Sequence, residues 1–572
     1  MKKLLLGNEA VARGAYEAGA TVATAYPGTP STEVTEAAAK YDEIYCEWSP
    51  NEKVALEVAI GASFAGARAL CSMKHVGLNV AADPLYTAAY TGVNGGLVIL
   101  VADDPGMHSS QNEQDSRNHA YGAHVPLLEP SDSAESLAYT KLAFEISEKY
   151  DTPVIVRMTT RVAHSRSLVE IGQRVMPEKR TFNKDIEKYV MMPAMARKRR
   201  VNIELREKAL REDADLLDIN TMELKDLACG IICSDVVYRY VREALPDASV
   251  LKLGMVHPLP EKLIAEFAQK VKKLYVIEEL DPFIETRVKA MGIKCIGKEL
   301  FPAYGELSAG LIAEKLLGIP RKAVPEADLP QRPPVLCPGC PHRAVFRVLN
   351  KLKLNVMGDI GCYTLGALPP LSAMDACVCM GASIGMALGM EKADSTLASK
   401  TVAVIGDSTF IHSGITGLAD IVYNKGQSTV LILDNSITGM TGHQHNPATG
   451  YTIKMEPTRA VDLEALARAL GVEHVRVVDP FNMSELEKIL REETARPDPS
   501  VIIARRPCAL IDKRERKPID FMPEKCKKCG LCFKLGCPAI ENVDGVAVVN
   551  TELCNYCGLC SGVCKFGALG VE

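Results

Sequence analysis

The sequence lacks long apolar runs and lacks an excess of basic residues. No apolar stretch approaches the ~20 residues of a transmembrane helix, and the opening MKKLLLGNEA is too short for a signal-peptide core. The 572 residues include 66 Lys and Arg against 71 Asp and Glu, so a net charge of −5 gives no reason to expect nucleic acid or an anionic membrane as partner. We therefore expect a cytoplasmic protein that binds neither nucleic acid nor membrane.

Cysteine, in contrast, is abundant. Nineteen cysteines in a chain expected to be cytoplasmic indicate metal binding rather than disulfides. Eight of them form two runs near the carboxyl end, in the pattern of two-cluster ferredoxins, where the fourth cysteine of each run binds the other [4Fe-4S] cluster. The predicted ligand sets, called here cysteine set 1 and cysteine set 2, are Cys526, Cys529, Cys532 and Cys564 for the first and Cys554, Cys557, Cys560 and Cys537 for the second.

Two positions depart from the ferredoxin pattern. Four residues rather than three precede Cys537, and Lys565 stands where a second proline is expected. Neither change removes a ligand. A pair of zinc sites is the alternative, which eight cysteines in this order disfavour.

A βαβ unit is predicted within Thr401–Gly442. The apolar, β-branched runs Val402–Ile405 and Thr429–Leu433 are typical of buried strands, and an amphipathic segment near Gly414–Asn424 separates them. Strands joined in this way are parallel neighbours, so the loops that follow them emerge at one edge of the sheet.

These two loops carry small and oxygen-bearing residues. Gly406, Asp407 and Ser408 follow the first strand, and Asn435 and Ile437 follow the second. Asp407, the Asn435 amide oxygen and a carbonyl near Ile437 form a ligand set suited to Mg²⁺, with phosphate beside the glycine. The alternative is an ordinary turn with a helix N-cap. The pattern is similar to the thiamine-diphosphate motif, from which Ser408 departs because a glycine is usual there.

The chain as a whole predicts an α/β protein in five segments. Strand and helix patterns alternate in three of them, a charged helical stretch joins two, and a Pro-rich stretch up to Pro334 is predicted to be a linker. Their predicted bounds are 1–175 and 221–320 for the first two α/β domains, 176–220 for the helical linker, 335–510 for the third α/β domain and 517–572 for the ferredoxin domain.

The set of motifs resembles the 2-oxoacid:ferredoxin oxidoreductases over essentially the whole chain, and within them the large subunits that act on aryl pyruvates. The resemblance implies two doubly wound thiamine-diphosphate-binding domains (1–175 and 335–510), a transketolase C-terminal-like domain and the ferredoxin domain. It is carried, besides the tail, by these stretches: Tyr26–Ser31, Asn51–Glu57, Met73–Asn79, Cys337–His342 and Gly406–Asn435.

The resemblance also implies a reaction and its partners. A 2-oxo acid such as indolepyruvate would be decarboxylated on thiamine diphosphate held with Mg²⁺, two electrons would leave through the clusters to ferredoxin, and coenzyme A would take the acyl group. A smaller beta subunit would complete an α2β2 heterotetramer. Two alternatives stay open: a related enzyme for pyruvate or branched-chain 2-oxo acids, and a non-catalytic electron-transfer subunit.

Site residues in the amino-terminal half follow from the same resemblance. Glu52 is expected to hydrogen-bond the aminopyrimidine ring, although a charge complementing the helix dipole is the simpler reading of its position. Thr29 matches a substrate-facing threonine. The pyruvate enzymes place a carboxylate-binding arginine where this chain has Asp103 and Asp104, so Lys74 or His75 is expected to bind the substrate carboxylate instead.

A third cluster is a further hypothesis. Related enzymes bind one beside thiamine through a Cys-Pro-Gly-Cys pair, a Gly-Ile-Gly-Cys and a late cysteine. The matching residues, called here the inner cysteines, are Cys337, Cys340, Cys362 and Cys508. The alternative is that all four are small core residues.

Overall fold

A computed structural model describes residues 1–321, 333–514, 516 and 519–571, so most of the predicted Pro-rich linker lies outside the described residues. The chain divides into two compact units, Met1–Ala327 and Asp328–Glu572. No helix in the described ranges is long and apolar enough to cross a membrane.

The first unit is built on one large and one smaller sheet. Its strands are β1 (Lys2–Leu6), β2 (Val22–Ala25), β3 (Tyr45–Trp48), β4 (Ala69–Lys74), β5 (Leu97–Asp103), β6 (Leu127–Leu128), β7 (Val154–Thr159), β8 (Arg166–Glu170), β9 (Thr221–Glu223), β10 (Asp226–Ser234), β11 (Ala248–Leu253), β12 (Met255–His257) and β13 (Leu274–Ile277). The large sheet has the order β12-β6-β7-β5-β4-β2-β3, parallel except for β12. The smaller sheet has the order β13-β10-β11-β9, and β1 pairs with β8.

Helices cover both faces of the large sheet. The helices of the first unit, some of which pack on the smaller sheet, are α1 (Gly7–Glu17), α2 (Thr32–Ala38), α3 (Glu52–Phe64), α4 (His75–Val80), α5 (Ala82–Thr91), α6 (Arg117–Ala123), α7 (Ser133–Tyr150), α8 (Thr160–His164), α9 (Ile186–Tyr189), α10 (Pro193–Ala214), α11 (Val237–Ala244), α12 (Glu261–Lys270), α13 (Phe283–Ala290) and α14 (Ala309–Leu317). Helix α3 packs on β2 and β4, and α7 packs on β5 and β7. Strands β5 and β7 are buried throughout, as expected for parallel strands covered on both faces.

The charged stretch 176–220 contains the predicted helix as α10, which is less solvated than expected. Ile203 and Leu210 are buried on the face that meets α5. Arg206, also buried, donates to the carbonyls of Ala89 and Asp151. The apolar methylene stem of an arginine can be buried among apolar side chains while its guanidinium donates to backbone carbonyls, so a charged residue can lie on the packed face of a helix.

The second unit contains a parallel six-stranded sheet. Its elements are β14 (Asn355–Gly358), β15 (Ala376–Cys377), β16 (Thr401–Gly406), β17 (Thr429–Asp434), β18 (His474–Val478), β19 (Ser500–Arg505), α15 (His342–Leu352), α16 (Ala382–Ala393), α17 (Asp407–Thr409), α18 (Ile415–Tyr423), α19 (Leu463–Ala469) and α20 (Met483–Thr494). The order is β15-β14-β16-β17-β19-β18, with every pairing parallel. The predicted βαβ unit is confirmed as β16, α18 and β17, with Val402 opposite Thr429.

The carboxyl-terminal segment is small and loop-rich. Its elements are β20 (Ile519–Phe521), β21 (Ile540–Val543), β22 (Val546–Val549), α21 (Leu559–Val563) and β23 (Leu569–Val571). Strand β20 pairs with β23 and β21 with β22, both antiparallel. Ile519, Leu535, Leu559 and Leu569 form its buried interior together with Cys560, and further cysteines pack against them.

Candidate active site and iron–sulfur sites

Asp407 lies at the carboxyl end of β16 and is buried. Its Oδ2 atom is buried without a hydrogen-bond partner. Burial, with Asp434 as a second negative charge nearby, raises the pKa of Asp407 to about 7. Because a buried carboxylate without a counter-ion is costly, this oxygen fits a cation ligand.

The loop after β17 approaches the same sheet edge. The Asn435 side-chain oxygen accepts from the backbone of Ile437 at 3.3 Å. The Thr438 hydroxyl donates to Ser408 at 3.0 Å and so ties the loops after β16 and β17 together. Thr438 was not among the predicted site residues, and its only sequence signal is a position three residues after Asn435.

The structure brings the predicted diphosphate and magnesium residues to one place, as parallel strand ends require. Gly406 is opposite Leu433 in the register of β16 and β17, so Asp407, which follows β16, and Asp434, the last residue of β17, lie at the same level. Among the described residues, no three His, Cys, Asp or Glu side chains form a group that could hold a metal ion. The predicted magnesium set contains one carboxylate and draws its other ligands from an amide and the backbone.

The four inner cysteines gather beside this edge. Burial raises the pKa of Cys340 to about 12, and Cys362 and Cys508 reinforce the rise. Burial likewise raises the pKa of Cys362 to about 11, with Cys508 and Cys337 as neighbouring thiols. The Cys508 backbone N–H donates to the carbonyl of Asn435 at 2.9 Å, which links this group to the loop after β17. A third cluster at these residues stays a prediction.

Each of the two ferredoxin-type cysteine sets lines a cavity of its own. All four cysteines of set 1 line one cavity, and all four cysteines of set 2 line another. Backbone N–H groups donate to the sulfurs of Cys554 at 3.4 Å and Cys564 at 3.2 Å. Such bonds are among those that tune cluster potentials. The crossed grouping into two cavities is the one that the spacing predicts, and two clusters at these sets stay a prediction.

Glu52 lies at the start of α3 and is buried. Its carboxylate packs on Gly77, where an added Cβ would come within 2.6 Å of Oε1. Asn51 provides the helix N-cap by accepting from Val54 at 2.9 Å. Because the cap is already supplied by Asn51, burial of Glu52 exceeds what a dipole-complementing charge needs.

The predicted substrate residues adjoin Glu52. Burial lowers the pKa of Lys74 to about 8, against the opposing charges of Asp104 and Glu52. The Lys74 ammonium donates to the carbonyl of Ser109 at 3.0 Å, and the Ser109 hydroxyl donates to that of Thr29 at 3.1 Å.

His75 is the fourth predicted residue at this edge. Its Nε2 atom is 3.1 Å from the Asn112 carbonyl oxygen, and its Nδ1 is buried without a partner. Burial lowers the pKa of His75, which favours the neutral imidazole.

Asp103 and Asp104 have structural partners that the sequence did not reveal. Asp103 accepts from Arg157 Nε at 2.6 Å and from the Ser116 N–H at 3.0 Å. Asp104 accepts from the Ser109 N–H at 2.8 Å and from the Ser110 hydroxyl at 2.7 Å. Asp104 therefore anchors the middle of the loop that carries Ser109 to Lys74, and Asp103 anchors the end of that loop before α6.

A second buried arginine extends this network. Arg117 donates to Glu278 at 2.6 Å and pairs with Asp115, all fully buried. The segment 221–320 thus contributes Glu278 to the anchoring of the same loop. Two consecutive acidic residues directly after a buried strand were the available signal.

The chain matches three protein families. Residues 13–214 match "Pyruvate flavodoxin/ferredoxin oxidoreductase, thiamine diP-bdg". Residues 359–504 match "Thiamine pyrophosphate enzyme, C-terminal TPP binding domain", and residues 547–570 match "4Fe-4S binding domain". The predicted fold class is confirmed.

Similar proteins extend over the full length. "Indolepyruvate oxidoreductase subunit IorA" of Archaeoglobus fulgidus is 42% identical, with 99% of this chain and 97% of that protein aligned. The subunits of the same name from Methanothermobacter marburgensis and Pyrococcus horikoshii are each 41% identical, with 99% of this chain and 97% and 96% of theirs aligned. The chain belongs to this IorA family of thiamine-diphosphate-dependent, iron–sulfur oxidoreductases within the 2-oxoacid:ferredoxin oxidoreductases.

Proposed function

We propose that the chain is the large subunit of an enzyme that oxidatively decarboxylates aryl 2-oxo acids, with indolepyruvate as the preferred substrate. One 2-oxo acid, one coenzyme A and two oxidised ferredoxins yield one aryl-acetyl-CoA, one CO2, one proton and two reduced ferredoxins. The names of the full-length relatives support the substrate class.

One structural observation carries the proposal. The Asp407 Oδ2 atom is buried without a hydrogen-bond partner at the carboxyl end of β16. The same unit contains two cavities, each lined by four cysteines. A decarboxylase without electron transfer would not need the cysteine sets.

Asp407, Asn435 and a backbone carbonyl near Ile437 would hold Mg²⁺, and Gly406 and Ser408 would lie beside the diphosphate. Thiamine diphosphate, when bound, supplies stabilisation of a carbanion at the former keto carbon. The Asp407 carboxyl group would give up its proton where a cation is bound, because the burial that raises its pKa disfavours the bare anion. A divalent cation offsets this cost.

Glu52 would act on the aminopyrimidine ring of the cofactor. Its buried carboxyl would share a proton with a ring nitrogen, which favours the imino tautomer needed to deprotonate thiazolium C2. Lys74 would pair with the substrate carboxylate, with Thr29 and His75 lining the same edge. A pKa near 8 keeps the Lys74 ammonium mostly charged at neutral pH.

Iron–sulfur clusters would be held by cysteine sets 1 and 2, and a third by the inner cysteines. Clusters supply one-electron acceptors for a two-electron oxidation. We further propose the predicted division into segments 1–175, 176–220, 221–320, 335–510 and 517–572, and an α2β2 assembly with a smaller beta subunit.

The test is anaerobic reduction of ferredoxin by the chain with its beta subunit. Indolepyruvate, phenylpyruvate, pyruvate and a branched 2-oxo acid are compared, each with and without coenzyme A. The proposal expects the highest kcat/KM with the aryl substrates and dependence on coenzyme A. A preference for pyruvate would overturn the substrate assignment, and no thiamine-dependent reduction with any substrate would overturn the enzymatic one.

A further inference from the structure

Arg343 is a buried cation for which no described Asp or Glu forms an ion pair. The side chain is 2% exposed. It lies in the first turn of α15, where the helix dipole disfavours positive charge. A charge in such a position is expensive unless a nearby anion compensates it.

Backbone carbonyls from two separate loops hold the guanidinium. On one side it donates to the carbonyls of Leu336 and, at 3.0 Å, Cys337. On the other side it donates to Gly536 and, at 3.1 Å, Leu535. These loops lead directly into the inner cysteines and into Cys537 of set 2, so one side chain connects two predicted cluster sites.

A further segment of cysteine set 2, the one that follows Cys554, touches the loop of the inner cysteines near Arg343. The Asn555 amide donates to the carbonyl of Pro338 at 2.8 Å. Pro338, Gly339 and Arg343 line the cavity of cysteine set 2. The charges within electrostatic range of the guanidinium are thiols of both groups, Cys337 and Cys340 on one side and Cys537 and Cys557 on the other.

We propose that Arg343 is the shared counter-ion of two iron–sulfur sites, the inner cysteines and cysteine set 2, and that its charge raises the reduction potential of both. Each cluster with its thiolates is anionic and becomes more so on reduction, so a fixed cation favours the reduced state. Arg343 is a positioning residue, since it acts on the clusters through charge and loop geometry. The inference rests on the cluster assignments of the proposed function.

The test is an EPR-monitored redox titration of the complete complex, prepared anaerobically. Three variants are compared with wild type. Arg343→Gln removes the charge, and Arg343→Lys keeps it without the planar fork. Arg347→Gln is the matched control, one turn along α15 and half-buried. The cluster in cysteine set 1, whose cavity Arg343 does not line, is an internal reference.

Arg343→Gln is expected to shift the reduced-to-oxidised ratio of both flanking clusters at least tenfold toward the oxidised form at a fixed potential, which is about 59 mV for one electron. Arg343→Lys, Arg347→Gln and the set 1 cluster should keep wild-type potentials. Unchanged potentials in a fully loaded Arg343→Gln protein would overturn the proposal, and so would an equal fall in Arg343→Lys or Arg347→Gln.

If Arg343→Gln loses its clusters, the proposal is tested on the iron content and the reduction potentials of Arg343→Lys. Retained iron with wild-type potentials in the lysine variant supports the counter-ion role. Loss of iron in both variants would overturn it, because loop geometry and not charge would then explain the effect of Arg343→Gln. Failure of the proposed function is seen separately in wild type. About eight irons per chain instead of about twelve would show that the inner cysteines bind no cluster. The reduction potential of the set 2 cluster would then still show whether the charge of Arg343 matters.

Discussion

Asp407 should destabilise the thiamine- and magnesium-free protein, and Asp407→Asn should relieve that cost. Burial raises the pKa of Asp407 from an ordinary 3.8 to about 7. Between these two pH values, the Asp407 carboxyl keeps its proton in the folded protein and has lost it in the unfolded chain, so the free energy of unfolding falls as pH rises. At 1.36 kcal/mol per pKa unit, the cost is about 4 kcal/mol at pH 8 and about 1.5 kcal/mol at pH 5.

The assay is calorimetric unfolding of cofactor-stripped protein between pH 5 and pH 8. Asp407→Asn should unfold at a higher temperature than wild type, with a difference that grows with pH. Asp420→Asn, an exposed residue on the neighbouring helix α18, is the matched control and should change little. Adding Mg²⁺ and thiamine diphosphate should reverse the order, because only wild type offers the cation a carboxylate.

Two results would refute this reasoning. An Asp407→Asn protein no more stable than wild type at pH 8 would mean that the carboxylate has a counter-ion of its own. A variant that gains as much stability from Mg²⁺ and thiamine diphosphate as wild type would remove Asp407 from the ligand set.

Three further predictions concern the other site residues. Glu52→Gln should retain thiamine diphosphate but slow hydrogen–deuterium exchange at the cofactor's C2 by about 10²–10⁴-fold. The control Glu57→Gln, at an exposed residue, should exchange at the wild-type rate, and equal exchange rates in the two variants would exclude Glu52 from C2 deprotonation. In wild type, kcat/KM should fall above pH 8 as Lys74 loses its proton. Lys74→Met should raise KM and abolish this fall, whereas the control Lys53→Met, at an exposed residue, should do neither. A fall in kcat/KM above pH 8 that persists in Lys74→Met would contradict the assignment. Cys362→Ser should lower iron from about twelve to about eight atoms per chain, Cys377→Ser should not, and twelve irons in Cys362→Ser would rule out the inner cluster.

The sequence predicted those parts of the site that local spacing or strand order determines. The eight tail cysteines are close in the chain, so their spacing fixes which can share a cavity. Asp407 and Asn435 follow consecutive parallel strands, whose ends must meet at one edge.

The remainder depends on contacts between distant segments, for which the sequence has no periodic signal. Asp103 pairs with Arg157 across 54 positions and Arg117 with Glu278 across 161. Arg343 reaches Gly536 across 193 positions. Each of these arginines looks like an ordinary surface charge in the sequence, and only the packing shows that it is buried.

The central claim is that thiamine chemistry in this chain supplies electrons to its own iron–sulfur sites. Anaerobic stopped-flow absorbance of the complex with its beta subunit tests it directly, with indolepyruvate as reductant and wild type compared with Glu52→Gln. We expect rapid bleaching of the iron–sulfur absorbance in wild type and at least a 10²-fold slower loss in Glu52→Gln, whose clusters should still bleach with dithionite. Equal bleaching of both proteins by indolepyruvate would contradict it.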